Sequence, residues 1–204
     1  MFIAFAGQKG GAGKSILSLH VAAYLARNAK TALIDADALR TVTHWSARGG
    51  DALGVPIFGD KQAVRIAAQF EHIVFDCAGR ADRDELRDLS QACDRLLCPV
   101  PVDALNLDAA LSLGEVFAAL EITNYHCLLN RAPHTIAPRA VNEARELLAD
   151  AGLPVLTTVI HESAAFRHAA ALGTTVERVP ASLCATGAQA WREIESLTKE
   201  LLNL

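Results

Sequence analysis

Apolar residues in this chain fall into two kinds of run that take turns. Phe2 to Ala6, Thr31 to Asp35, His72 to Asp76, Arg95 to Val100, Tyr125 to Leu129 and Val155 to Ile160 are short and apolar through their middles. That is the pattern of strands covered on both faces. Longer stretches between them mix apolar and polar positions and read as helices: Lys14 to Arg27, Lys61 to Gln69, Arg83 to Ala92, Leu105 to Leu120, Pro138 to Ala151, Ser163 to Leu172 and Ala188 to Leu202. A weak element around Trp45 lies between them, bounded by Gly49-Gly50 and Gly54-Val55-Pro56. Strands alternating with helices at this spacing predict right-handed crossovers and an α/β fold, a doubly wound, mostly parallel sheet with helices on both faces. No repeat, low-complexity tract or long linker interrupts it, so residues 1–204 read as one domain. Ligands of such sheets bind beyond the carboxyl ends of the strands.

Composition narrows the class. Hydrophobic residues make up 51% of the chain and aromatic ones only 5%, as in a core of Ala, Val, Leu and Ile between helices and a sheet. No apolar run is long enough to span a membrane, and no basic leader precedes the first strand. A cytoplasmic location is expected. The five cysteines, Cys77, Cys93, Cys98, Cys127 and Cys184, form no C-x-x-C pair and sit mostly in apolar runs, as reduced core residues do. A formal net charge of −4 excludes a wholesale grip on nucleic acid and leaves room only for a local basic patch.

The chemistry is concentrated after the first strand, in Gly7-Gln8-Lys9-Gly10-Gly11-Ala12-Gly13-Lys14-Ser15. Glycines let a loop turn its backbone N–H groups inward toward a phosphate, and the helix that follows adds its positive end. Lys14 supplies a point charge for the outer phosphates, and Ser15 a hydroxyl for Mg²⁺. The ordinary spacing G-x-x-x-x-G-K-[ST] fails, because Gln8 stands where its first glycine belongs. The register that works is Lys9-Gly10-Gly11-Ala12-Gly13-Lys14-Ser15, a phosphate loop with two lysines. Asp76 closes an apolar strand, where a carboxylate can hold Mg²⁺. Asp35 and Asp37 end another.

The two-lysine loop resembles the deviant Walker A motif of the ParA/MinD ATPases, and the resemblance extends over essentially the whole chain. It implies bound ATP and Mg²⁺, held by Gly10, Gly11, Ala12, Gly13, Lys14 and Ser15, with Asp35 and Asp76 beside Ser15 on the metal side. It implies that Lys9 reaches across a nucleotide-sandwich homodimer, that Asp37 positions the attacking water, and that hydrolysis is slow until a partner accelerates it. Asn130 and Arg131 match the adenine side, Val179-Pro180 a loop closing over the base, and Pro99-Val100-Pro101 with Asp103 to Asp108 a dimer-face loop. The chain departs from the family where Ala38-Leu39 replace the usual Pro-Gln, which suggests a differently shaped switch.

The resemblance also bears on what such a dimer acts on. Small ParA proteins without an N-terminal helix-turn-helix bind DNA non-specifically in the ATP state, and Met1-Phe2 leaves no room for that module. Arg139, Arg167, Arg178, Arg192 and Lys199, with Arg145 and His168, are the candidate phosphate contacts. The final helix carries Glu193, Glu195 and Glu200 against Arg192 and Lys199, the wrong balance for an anionic membrane surface. The reading is a partition ATPase that associates with the nucleoid, released by a ParB-like partner and segregating plasmid or chromosome DNA. The alternatives are a positioning ATPase for a protein cargo, such as carboxysomes or chemoreceptor clusters, and a small-molecule enzyme on the same fold.

Overall fold

The computed structural model of the chain describes residues 1–7, 9–79, 81–134 and 138–204. Seven strands form one parallel sheet: β1 (Phe2–Phe5), β2 (Thr31–Asp35), β3 (Ile57–Gly59), β4 (His72–Asp76), β5 (Arg95–Pro101), β6 (Tyr125–Ala132) and β7 (Val155–His161), in the order β3-β2-β4-β1-β5-β6-β7. The helices are α1 (Lys14–Leu25), α2 (Thr41–Gly49), α3 (Ala63–Ile66), α4 (Arg83–Ala92), α5 (Ala104–Ala119), α6 (Pro138–Asp150), α7 (Ala164–Leu172) and α8 (Gly187–Leu202). The central strand β1 lies between β4 and β5, at the point where the chain's order along the sheet reverses. The crevice at such a reversal is the default ligand site of an open α/β sheet.

Both faces of the sheet are covered, which explains the unbroken apolar strands. Ile3, Phe5, Leu33 and Val74 point into one core with α1, α2, α7 and α8. The next residues in the same strands point the other way. Ala4 and Ala6 meet Leu86, Phe117 and Leu148 of α4, α5 and α6, and Ala32, Ile34 and Ile73 meet Ile66 of α3.

Two expectations need correction. The sequence pattern missed β3, an edge strand of three residues between Pro56 and the turn at Asp60. The helix expected over Lys61 to Gln69 survives as one α-turn, Ala63–Ile66, flanked by 3₁₀ turns. The weak element around Trp45 is α2, held by the indole N–H, which donates to the Thr174 carbonyl at 3.0 Å. The four cysteines Cys77, Cys93, Cys98 and Cys127 are buried and unpaired, and burial pushes the Cys77 and Cys127 thiols up to about 12. No helix among the described residues is long and apolar enough to cross a membrane.

Candidate functional site

The phosphate loop leaves β1 and returns as α1, with Gly11 at φ 79° and Gly13 at φ 97°, left-handed values that favour glycine. Gly13 is doubly constrained. A Cβ there would stand 2.5 Å from the Asn130 Nδ2. That amide donates to the Ala12 carbonyl at 2.6 Å, and Arg131 donates through Nη1 to the Gly11 carbonyl at 3.2 Å. Both residues at the end of β6 therefore brace the loop from behind. Gln8 lies outside the described residues.

Lys14 is buried, its Nζ donating to the Lys9 carbonyl at 3.2 Å. Burial pulls its ammonium below the ordinary value, while the Asp76 and Asp37 carboxylates oppose the shift. Lys9 is exposed and donates to the Leu105 carbonyl at 2.6 Å, at the first turn of α5. Leu39 and Leu105, both about three-quarters exposed, leave apolar surface at this end of the sheet.

Asp35 and Asp76 are register partners on the adjacent strands β2 and β4, and both are fully buried. Thr43 satisfies one Asp35 oxygen through its backbone N–H at 3.0 Å and its hydroxyl at 2.5 Å. Asp35 Oδ1 and both oxygens of Asp76 have no partner. Burial pushes the Asp76 carboxyl up to about 7, with the Asp35 and Asp37 charges adding to it. The neighbouring Ser15 and Ser18 hydroxyls counter that shift in part, at a geometry short of a hydrogen bond. A buried polar atom left unpaired costs about 1–3 kcal/mol, so three orphaned carboxylate oxygens beside a lysine and a serine hydroxyl suit a hard cation. Mg²⁺ fits this donor set, with Ser15, Asp35 and Asp76 as the residues that would hold it. Among the described residues no three acidic, His or Cys side chains form a ready cage, in keeping with an ion that arrives with phosphates and keeps its waters. Asp37 is half-buried, its Oδ1 accepting from the Leu39 backbone N–H at 2.9 Å.

Beside the loop a cavity of about 180 Å³ opens between α1, β6 and the start of α7, lined by Gly11, Gly13, Arg131, His161, Phe166 and Arg167 among others. Its outer loop is fastened by remote residues. Glu193 of α8 accepts from the His161 backbone N–H and pairs with Nδ1, both at 2.9 Å, and Ser163 shares a 2.7 Å hydrogen bond with Thr186. The two base-side candidates are placed differently. Pro180 does not line the cavity; it is exposed, and its carbonyl accepts from Leu183 and Cys184 in a turn of its own. Asn130 lines the cavity, with its amide nitrogen bonded to the loop backbone. His161 and Ser163 escaped the sequence reading because each is a lone residue with no spacing signature; only Ser163, as the side-chain cap of α7, carried a local signal.

The basic candidates are dispersed. Arg139 pairs with Glu143 at 2.7 Å, Lys199 lies 3.8 Å from Glu195, and Arg167 turns up in the cavity wall. Arg178 and Arg192 are exposed. Arg145 is structural, donating to the Leu156 and Thr157 carbonyls.

Residues 3–176 match the family described as the CobQ/CobB/MinD/ParA nucleotide binding domain. The maintenance of carboxysome distribution protein A of Halothiobacillus neapolitanus is 30% identical over 213 aligned residues, covering 98% of this chain and 95% of that protein. The protein of the same description from Gloeobacter kilaueensis is 28% identical over 182, covering 85% and 82%. The cell division ATPase MinD of Pyrococcus furiosus has the same fold, with a TM-score of 0.68 over 99% of this chain and 98% of its own at 20% identity. Phosphate loop, fold and relatives agree: the chain belongs to the MinD/ParA family of nucleotide-binding domains.

Proposed function

We propose that this chain is a positioning ATPase whose ATP-bound form dimerises and whose hydrolysis, stimulated by a partner, releases the dimer. The loop N–H groups and Lys14 hold the phosphates, and the carboxylates named above hold Mg²⁺, which when bound neutralises charge on the phosphate oxygens. Asp37 orients water on the open side of the switch. Lys9 exchanges the Leu105 carbonyl for the nucleotide of a second copy, a swap within reach because the bond it leaves is exposed. Catalysis of this kind is positioning and charge stabilisation, with no acid–base dyad required.

For cargo, the observation that carries the reading is the near full-length match to proteins described by carboxysome distribution. It favours a protein assembly as cargo over the plasmid or chromosome that the resemblance to small ParA proteins implies. Non-specific DNA then serves as the surface on which the dimer rides, through Arg139, Arg167, Arg178, Arg192 and Lys199, doubled by dimerisation, and a cargo-bound adaptor plays the ParB-like part.

The experiment compares ATP with ADP in Mg²⁺, measuring dimer mass, hydrolysis, and retention on a random-sequence DNA duplex, with Asp37→Ala holding the ATP state. A dimer and salt-sensitive DNA retention only with ATP support the reading. ATP hydrolysis without either returns the protein to small-molecule chemistry. Deletion in the native cell separates cargoes: misplaced protein assemblies support this reading, and plasmid loss with normal assemblies restores DNA segregation.

A further inference from the structure

We infer that Arg40 is a positioning residue that holds the Asp35–Asp37 switch in its working shape; the inference rests on the proposed ATPase. Arg40 is the residue before α2 and adopts φ 49°, ψ 40°, a left-handed conformation that L side chains rarely take. Glycine would adopt it freely. A switch that needed only the bend would gain nothing from an arginine here, so the side chain must supply something.

What it supplies is a set of ties around the two aspartates. The Arg40 backbone N–H donates to the Asp37 carbonyl at 3.0 Å, and its own carbonyl accepts from His44 in the first turn of α2 at 2.9 Å. Its guanidinium donates through Nη1 to the Asp35 carbonyl at 2.5 Å, with Asp60 at a marginal 3.5 Å. The guanidinium rests on Gly59, where a Cβ would come within 3.3 Å of Nη1. Gly59 is the register partner of Asp35 on the edge strand. Arg40 thus folds across the ends of β2 and β3 and fastens both to α2, while Thr43 takes one Asp35 oxygen and Leu39 one of Asp37. Backbone strain of this kind persists only where the surroundings over-determine it, and it gathers at switches.

In this arrangement the guanidinium is occupied at the Asp35 carbonyl and beside Gly59 on the edge strand, whereas the loop leaves β1, on the other side of β4 from β2. Arg40 therefore acts through Asp37. The Ala38-Leu39 pair contributes no side-chain hydrogen bond to the switch, and Arg40 is what shapes it in this chain.

The test is steady-state ATP hydrolysis in Mg²⁺ by the full chain, with thermal melting, for wild type, R40G, R40K and G59A. Because glycine suits the backbone, R40G should melt no lower than wild type and keep its KM, while kcat falls about ten-fold or more, as small misplacements of reacting groups do. R40K should recover part of the loss. G59A, which pushes the guanidinium by a few tenths of an ångström and leaves Arg40 in place, should lower kcat in the same direction and by less than R40G. Wild-type kcat in R40G overturns the inference, and a raised KM with kcat retained overturns it by making Arg40 a nucleotide ligand. If R40G melts early, R40K and G59A decide: wild-type kcat in both overturns it. A wild type that hydrolyses no ATP sinks the ATPase reading and this inference together, a result distinct from a turning-over wild type beside an unchanged variant.

Discussion

The phosphate side and the base side of the candidate site are built on opposite plans. On the phosphate side Lys14, Asp35 and Asp76 are buried charges, and three carboxylate oxygens have no partner. On the base side the Asn130 amide nitrogen, Arg131, His161 and Ser163 hydrogen-bond to the protein itself. The first plan is costly until a ligand completes it; the second is largely satisfied without one. On the proposed reading, ligand stabilisation is expected to come mainly from the phosphates and their cation.

Gly13 is where the two sides touch, so changing it gives the largest effect. Gly13→Ala places a Cβ 2.5 Å from Asn130 Nδ2 at φ 97°, and a non-glycine residue held in such a conformation costs about 1–3 kcal/mol before the clash is counted. ATP binding by calorimetry should vanish, with a lowered melting temperature. Normal binding would mean the loop moves freely against β6, and the two sides would not be coupled.

Next comes His20 on α1, which ties the phosphate helix to the C-terminal part of the chain. Its Nδ1 donates to the Ile16 carbonyl and its Nε2 accepts from the Val176 N–H, so the buried ring must be neutral. Burial lowers it from 6.5 to about 4, against the pull of the Ile16 carbonyl. A depressed histidine contributes stability above pH 6.5, and that stability is lost as pH falls toward 4, because the unfolded chain takes up the proton first. The shift is worth up to about 3 kcal/mol. Denaturant titrations at pH 7 and pH 4.5 should show this loss in wild type and a flatter profile in His20→Gln; parallel profiles would place the acid sensitivity elsewhere.

The same contrast explains what could be read in the sequence. The phosphate side is written in consecutive residues, Lys9 to Ser15, and in carboxylates at strand ends, so chemistry and spacing announce each other. The base side is assembled from single residues far apart in the chain, Arg131, His161 and Arg167, fastened by Thr186 and Glu193, and no local pattern marks such a set. Pro180, matched through the family resemblance to a loop over the base, is not among the residues lining the cavity, whose outer wall is the end of β7. At the fold level, β3 was lost because three residues beside Pro56 are too few to show a pattern. The α2 helix was faint because Arg40, its N-cap, offers no capping side chain, and the partner of Trp45 lies at Thr174.

Asn130→Ala sharpens the contrast at smaller cost. Removing the amide strands the Ala12 carbonyl, worth about 1–3 kcal/mol. If Asn130 is a brace, stability and ATP affinity fall together, and ATP and GTP are weakened alike. Unchanged stability with a selective loss for ATP would return Asn130 to reading adenine.

The smallest effect tests how far the base-side plan extends. Beyond the cavity β7 becomes the sheet's open edge, and there too side chains occupy the backbone. The Glu200 carboxylate accepts from the N–H groups of Thr157 at 2.6 Å and Thr158 at 2.9 Å, and Arg145 donates to the Leu156 and Thr157 carbonyls. Burial works against the Glu200 charge, but the Thr157 and Thr158 donors prevail and hold its carboxyl below the ordinary value. An edge answered this way offers no template to another strand. Glu200→Ala should cost only about 1 kcal/mol yet free those donors, so light scattering should show association rising with concentration in the variant and not in wild type. Equal loss of stability without association would mean that the edge is guarded by its twist or by α8 as a whole, and the side-chain plan would end at the cavity.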